Sequence, residues 1–175
     1  MVLIFAMLTL NGCGKDKGSE RVIPPRYYNH YLWLSFQDTL GNDLVKGIEF
    51  VWSDSVMSDI IKPELYTLDI VFEDGITNPL RHSPLCLANG RLLLPSIANL
   101  DSQYLWLGIA SFRKFDFAEK ITLRLTCPYL FDDNEAYDIV TWWELHDYYT
   151  TCFRVEVDGR EFPVKEDIAT IILDR

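Results

Sequence analysis

Three histidines, four cysteines and twenty-six acidic side chains are the groups that chemistry could use in this chain of 175 residues. Their spacing is restrictive. His30, His82 and His146 are widely separated, and no CxxC, HExxH or close histidine pair occurs, so no metal site is expected. His82 and Cys86 stand one helical turn apart, but Pro84 between them works against a shared helical face. Asp132-Asp133-Asn134-Glu135 and Asp138 offer the hard oxygens that calcium takes, without the glycine-turn spacing of a calcium loop. A solvated acidic loop is the simpler expectation there. Ser83 beside His82 is an adjacency only, and the chain has no GxSxG elbow, P-loop or GxGxxG. Acids are so numerous that a carboxylate pair for glycoside hydrolysis carries no signal. The expectation is a non-enzymatic protein without a cofactor; a small hydrolase is the remaining enzymatic alternative, because triads assemble in space rather than along the chain.

One aromatic cluster stands out: Trp142-Trp143-Glu144-Leu145-His146-Asp147-Tyr148-Tyr149. Neighbours in a strand point to opposite faces, so Trp142 and Trp143 cannot both enter a one-sided core. Exposed beside Tyr148 and Tyr149, one of them could stack on a sugar ring or receive a partner's side chain. The competing expectation is an aromatic lid over the end of the fold. Tyr27-Tyr28 and Tyr31 raise the same pair of alternatives at the other end.

Sixteen basic against twenty-six acidic residues leave a formal charge of -10. Sequence-independent binding to nucleic acid or to anionic lipid needs surplus Lys and Arg, so no nucleic-acid partner is expected. With 49% hydrophobic and 14% aromatic residues, the chain can bury one core of single-domain size.

Residues 2–10, Val-Leu-Ile-Phe-Ala-Met-Leu-Thr-Leu, are uncharged, too short to span a bilayer, and of the length of a secretory h-region. Leu10-Asn11-Gly12-Cys13 follows and resembles the lipobox of bacterial lipoproteins, although Asn11 is not the usual occupant of its position. The resemblance implies that residues 1–12 are a signal peptide and that Cys13 carries the acyl chains as the first mature residue. No Lys or Arg precedes the apolar run, which predicts a translation start upstream of Met1. Residues 13–26 then form a polar tether stiffened by Pro24-Pro25 and spanning at most about 45 Å, enough to clear lipid head groups and too short to cross a cell wall. Membrane attachment through lipid follows, with the domain on the periplasmic or the cell-surface side of an outer membrane.

Export would place the other thiols in an oxidising compartment. Of Cys86, Cys127 and Cys152, the expected pair is Cys127 with Cys152, each at a strand end. The alternative is three buried thiols acting as small hydrophobes, favoured by Cys152 lying out of register with Phe153, Val155 and Val157.

The elements that must position these groups are strands. Tyr66, Leu68, Ile70 and Phe72 alternate with mostly polar neighbours, as do Ile121, Leu123, Leu125 and Cys127. Residues 31–36, 48–52, 91–94, 104–112, 137–143 and 169–173 are further predicted strands. Those at 153–157 and 160–164 flank Asp158-Gly159, which suits a type I′ hairpin. Residues 54–65 hold at most a helical turn limited by Pro63, and a long loop region runs through Asn78-Pro79, Ser83-Pro84 and Asn89-Gly90. About nine short strands predict an all-β antiparallel sandwich, Greek-key or immunoglobulin-like, as a single domain over residues 27–175.

Phe36-Gln37-Asp38, Gly41-Asn42-Asp43-Leu44, Gly47-Ile48, Cys127-Pro128-Tyr129-Leu130-Phe131, Ile139-Val140-Thr141-Trp142-Trp143 and the stretch from Cys152 to Gly159 resemble the small uncharacterised lipoproteins of Bacteroidetes. The resemblance implies location and anchoring, not an activity. Lys15-Asp16 is at most a fragment of the export signal that many such lipoproteins carry. Two functional expectations lead: a lipid-anchored module binding a protein or glycan in the envelope, and a structural or assembly subunit of an outer-membrane or fimbria-like complex.

Overall fold

The computed structural model describes residues 29–71, 77–79, 85–88, 98–99, 101–110, 118–147 and 149–175. Cys13, Tyr27, Tyr28, His82, Ser83, Tyr148 and the strand expected at 91–94 lie outside the described residues. In chain order the strands are β1 (Asn29–Asp38), β2 (Phe50–Ser53), β3 (Ser58–Ile61), β4 (Thr67–Val71), β5 (Thr77–Pro79), β6 (Cys86–Ala88), β7 (Tyr104–Ala110), β8 (Lys120–Thr126), β9 (Tyr137–Leu145), β10 (Thr150–Val157), β11 (Arg160–Phe162), β12 (Val164–Lys165) and β13 (Ile168–Leu173). A 3-10 turn at Pro63–Leu65 and one helical turn, α1 (Pro128–Phe131), complete the regular structure among the described residues.

Two sheets form. The seven-stranded sheet runs β12-β13-β1-β7-β6-β3-β2, and the six-stranded sheet runs β11-β10-β9-β8-β4-β5. The protein is therefore an all-β sandwich with more strands than the sequence suggested. Pairing is antiparallel except between β1 and β13, which lie parallel with Trp33 opposite Ile168 and Asp38 opposite Leu173. Period-two alternation explains why the sheets face each other: Leu32, Leu34 and Phe36 from β1, Leu105 and Leu107 from β7, Leu123 and Leu125 from β8, and Ile139 from β9 are at most 1% exposed and share one core.

Differences from the sequence expectation have local causes. The run 160–164 divides at Pro163, so β11 stays in the six-stranded sheet while β12 joins the other. Proline cannot donate to a ladder, and the strand changes sheets where it sits. Residues 58–61, expected near a helical turn, are instead β3, paired with β2 through Ser53 opposite Ser58, and the helical content of that stretch shrinks to the 3-10 turn. Short strands β5 and β6 lie within the expected loop region. The Asp158-Gly159 hairpin forms as expected, with φ of 48° and 80° at its two corner residues.

Strand β10 carries the most consequential irregularity. Cys152 pairs with Trp143 and Arg154 with Trp142, so Phe153 is an extra residue in a β-bulge. The bulge reverses the expected register. Cys152 turns into the core with Val155 and Val157, while Phe153 is 58% exposed.

Candidate functional site

The predicted aromatic patch divides between two sides of one sheet. Trp143 is 2% exposed, donates its indole N–H to Thr141 Oγ1 at 2.8 Å, and meets His30 edge-on at 4.8 Å. Trp142 points outward, yet its ring is covered by Arg154, whose Cζ lies 4.4 Å from the centroid, and by Lys120 Nζ at 5.5 Å. Tyr149 is exposed and stacks on His146 at 4.6 Å. Trp142 and Trp143 thus do not form one surface.

The expected Cys127–Cys152 bridge is absent: Cys86, Cys127 and Cys152 are buried free thiols. Strand geometry explains why. Cys152 lies opposite Trp143, near the Lys120 end of β8, whereas Cys127 follows the other end of that strand. Seven residues of β-strand at about 3.3 Å each put them roughly 20 Å apart, and a disulfide needs Cα atoms within about 7 Å. Burial pushes the Cys152 thiol up to about 12 and the Cys86 thiol to about 11, so both stay protonated.

Cys152, His146 and Asp167 are neighbours, but their bonds serve the fold. Asp167 Oδ1 accepts the Cys152 backbone N–H at 2.7 Å, the Cys152 thiol donates to the Arg154 carbonyl at 3.5 Å, and His146 Nε2 bonds Thr151 Oγ1 at 2.8 Å. A protonated, core-facing thiol with its proton on a carbonyl is no nucleophile. The acidic loop is likewise engaged. Asp132 ends α1 in the left-handed conformation, Asp133 accepts the Tyr137 hydroxyl at 2.6 Å, and Asp138 holds Arg124 through two bonds of 2.7 and 2.9 Å. Among the described residues no group of three His, Cys, Asp or Glu converges as a metal site would require.

A different surface gathers aromatic side chains: the outer face of the seven-stranded sheet, where Tyr104 and Ile168 are buried and Tyr31 is exposed. In β1, Leu32 and Leu34 enter the core, so Tyr31 and Trp33 project from the other side; in β7, Leu105 and Leu107 do the same for Tyr104 and Trp106. Antiparallel pairing sets Trp33 directly opposite Trp106 and Tyr31 opposite Gly108. Tyr31 and Trp106 then stack, with centroids 5.6 Å apart and planes 20° from parallel. Gly108 makes this possible. A Cβ at that position would meet Trp106 Cη2 at 2.9 Å, so the indole occupies space that any other residue would fill. Ile168, opposite Trp33, and Ala88, opposite Tyr104, extend the apolar row, and Tyr104 accepts the Asn99 N–H at 2.8 Å.

Polar groups on this face are neutral along β1 and β13, while Lys165 of edge strand β12 stands opposite Ile168. Ser35 and Gln37 continue β1 on the same side and are joined at 3.4 Å, with Thr170 of β13 opposite Ser35. Among the described residues of β1, β7 and β13, no charged side chain projects from it. Trp33 Nε1 is buried here and finds no acceptor among the described residues. Such a donor costs about 1–3 kcal/mol relative to a satisfied one.

Sequence reasoning named Tyr31 but missed its companions. The signal was present as two copies of Tyr-Leu-Trp-Leu, at 31–34 and 104–107, apolar on both strand faces where a one-sided sheet alternates. Comparison with known proteins adds no assignment: no family model matches the chain, and no curated protein or solved structure matches it at a significant level.

Proposed function

We propose that this protein is a lipid-anchored, non-enzymatic binding module of the bacterial envelope, tethered through Cys13 and presenting the exposed Tyr31 of its seven-stranded sheet to a partner. The observation that carries the binding role is the Tyr31–Trp106 stack. Ala88, Tyr104 and Ile168 on this face are buried in a second small core, whereas Tyr31 at its margin is not. Tyr31 remains 43% exposed although its ring is held in place by Trp106, which makes it a pre-ordered contact of the kind that anchors recognition. Support for the anchor is the apolar run ending in Leu10-Asn11-Gly12-Cys13, followed by a tether that reaches the domain at β1.

Strand addition to a sheet edge, the mechanism of an assembly subunit, has less to work with. The terminal strands are β12 with two residues, β11 and β5 with three each, and β2 with four. Short edges limit pairing with another chain. The experiment for the anchor is replacement of Cys13 by Ser in cells fed labelled palmitate, followed by fractionation. Label and membrane retention are expected to disappear together, and their persistence would refute the anchor.

A further inference from the structure

We propose that the end of the sandwich from which the chain runs back to Cys13 rests on a zwitterionic lipid bilayer through a collar of Tyr31, Leu145, Tyr149 and Phe153; this rests on the anchor at Cys13 and names a partner for Tyr31. β1 begins at Asn29, whose carbonyl accepts the Thr150 hydroxyl at 2.9 Å, so the start of β1 and the β9–β10 hairpin share one end. Leu145 lies opposite Thr150 where that hairpin turns, and Tyr149 stacks on His146 within the turn. Register places the other two beside them. Tyr31 is third in β1, on the outer side of the seven-stranded sheet. Phe153 follows Cys152, whose partner Trp143 meets His30 edge-on at 4.8 Å, so the bulge turns Phe153 outward from the six-stranded sheet at the level where β1 begins. All four are exposed, and they surround this end on both outer faces and at its tip.

Position and charge select the occupant. Cys13 stands sixteen residues before Asn29, a span of at most about 55 Å, so acyl chains there bring this end of the domain to the bilayer first. The ten residues of β1 set the opposite end about 30 Å farther off. Of the eight large hydrophobic side chains exposed among the described residues, four form the collar; Leu40 and Tyr129 lie at the opposite end, and Trp52 and Met57 on the β2–β3 hairpin. Tyr, Phe and Leu are side chains that enter the boundary between head groups and acyl chains, where a phenol keeps its hydroxyl in the wet layer while its ring leaves it. Charges at this end are of both signs: Lys120 and Lys165 stand with Glu144, Asp147 and Glu166. With -10 on the whole chain, an anionic surface repels it and a zwitterionic one does not.

The test uses the full chain, lipidated and recovered from cells, on phosphatidylcholine vesicles that contain a lipid with a nitroxide head group. A thiol-reactive fluorophore is attached at Asp147→Cys on the collar end or at Asn134→Cys on the opposite end, both exposed positions, while Cys86, Cys127 and Cys152 are buried away from the label. The nitroxide should quench the Asp147→Cys reporter at least about threefold more than the Asn134→Cys reporter. Adding Tyr149→Ser with Phe153→Ser should remove most of that difference while the protein still floats with the vesicles, and Leu40→Ser, at the opposite end, should leave it unchanged. Tyr31→Ser, on the other sheet, should show part of the same loss, so that damage to one strand does not decide the outcome. Replacing part of the phosphatidylcholine by phosphatidylglycerol should narrow the difference. Equal quenching at the two ends, an Asp147→Cys signal unmoved by the serine substitutions, or closer contact on phosphatidylglycerol overturns the proposal. A chain that fails to float with vesicles refutes the anchor and the collar together, whereas a floating chain with equally quenched ends refutes the collar alone.

Discussion

The two sheets turn opposite characters outward. On the six-stranded sheet, Arg124 grips Asp138 at 2.7 Å, Arg154 reaches Glu156 at 3.1 Å and Glu161 at 2.9 Å, and Trp142 lies beside Lys120 and Arg154. Arg124, Arg154 and Trp142 on that face each answer another group of the same protein, and bulged Phe153 stands exposed beside them. On the seven-stranded sheet, rows of Tyr, Trp and Ile stand on the outer side with Ser, Gln and Thr beside them, and Lys165 marks the β12 edge. Much of this second apolar face is itself buried: Ala88, Tyr104 and Ile168 form a small second core with Trp33, Ala98 and Trp106 against it, and Tyr31 is the large side chain that stays exposed beside them.

The largest expected effect comes from removing one indole on each side. Trp33→Ala should cost about 2 kcal/mol, because it strips packing from Ile168 and Trp106 on a half-buried surface. Trp142→Ala should cost about 1 kcal/mol, chiefly lost contact with its two cations. Urea denaturation would measure both, and equal losses would erase the contrast between the faces.

Glycine substitutions sharpen it. Gly108→Ala drives a methyl to 2.9 Å from Trp106 and should cost about 1–2 kcal/mol while altering the near-ultraviolet circular dichroism of the Tyr31–Trp106 stack. Gly159→Ala meets no atom within 4 Å but is held at φ 80° in the hairpin, so it should cost roughly 1 kcal/mol through the backbone alone, with the aromatic spectrum unchanged.

Between the faces, His30 supplies a pH dependence. Burial pushes its pKa below the usual 6.5, against the opposing bond to the Ala118 carbonyl. The unfolded chain takes up the proton near pH 6.5 and the folded chain resists it, so stability falls as pH drops below about 6.5, down to the folded-state value. Thermal melts from pH 7.5 to 5 should show this decline, and His30→Gln should flatten it. The smallest effect belongs to the charged surface. Its ion pairs are solvent-screened, so Arg124→Gln should leave the melting temperature nearly unchanged in 1 M salt. A large loss there would mean that the charged face carries stability after all.

Much of the fold was legible because alternation is a local property. Ile121, Leu123 and Leu125 read as an inward row from the sequence alone, and Asp158-Gly159 fixed its hairpin by backbone preference. The Phe153 bulge was not legible, since an extra residue exists only relative to a partner strand, and it reversed the expectation for Cys152. The four residues of β3 were too few to outweigh Pro63 nearby. The candidate site joins Tyr31 to Trp106 across a pairing of distant segments. Only the doubled Tyr-Leu-Trp-Leu announced it, whereas adjacent Trp142 and Trp143 drew attention to a pair that pleating separates.

Indole N–H spectroscopy tests the central claim most directly, because the five tryptophans are distributed over the core and both outer surfaces. Each indole of the 15N-labelled protein would be assigned by substitution and compared between the wild type and Tyr31→Ala. The Trp106 signal should shift, because Tyr31 stacks on it, while those of Trp142 and buried Trp143 stay in place. Movement of the Trp142 signal with Trp106 unmoved would contradict the account.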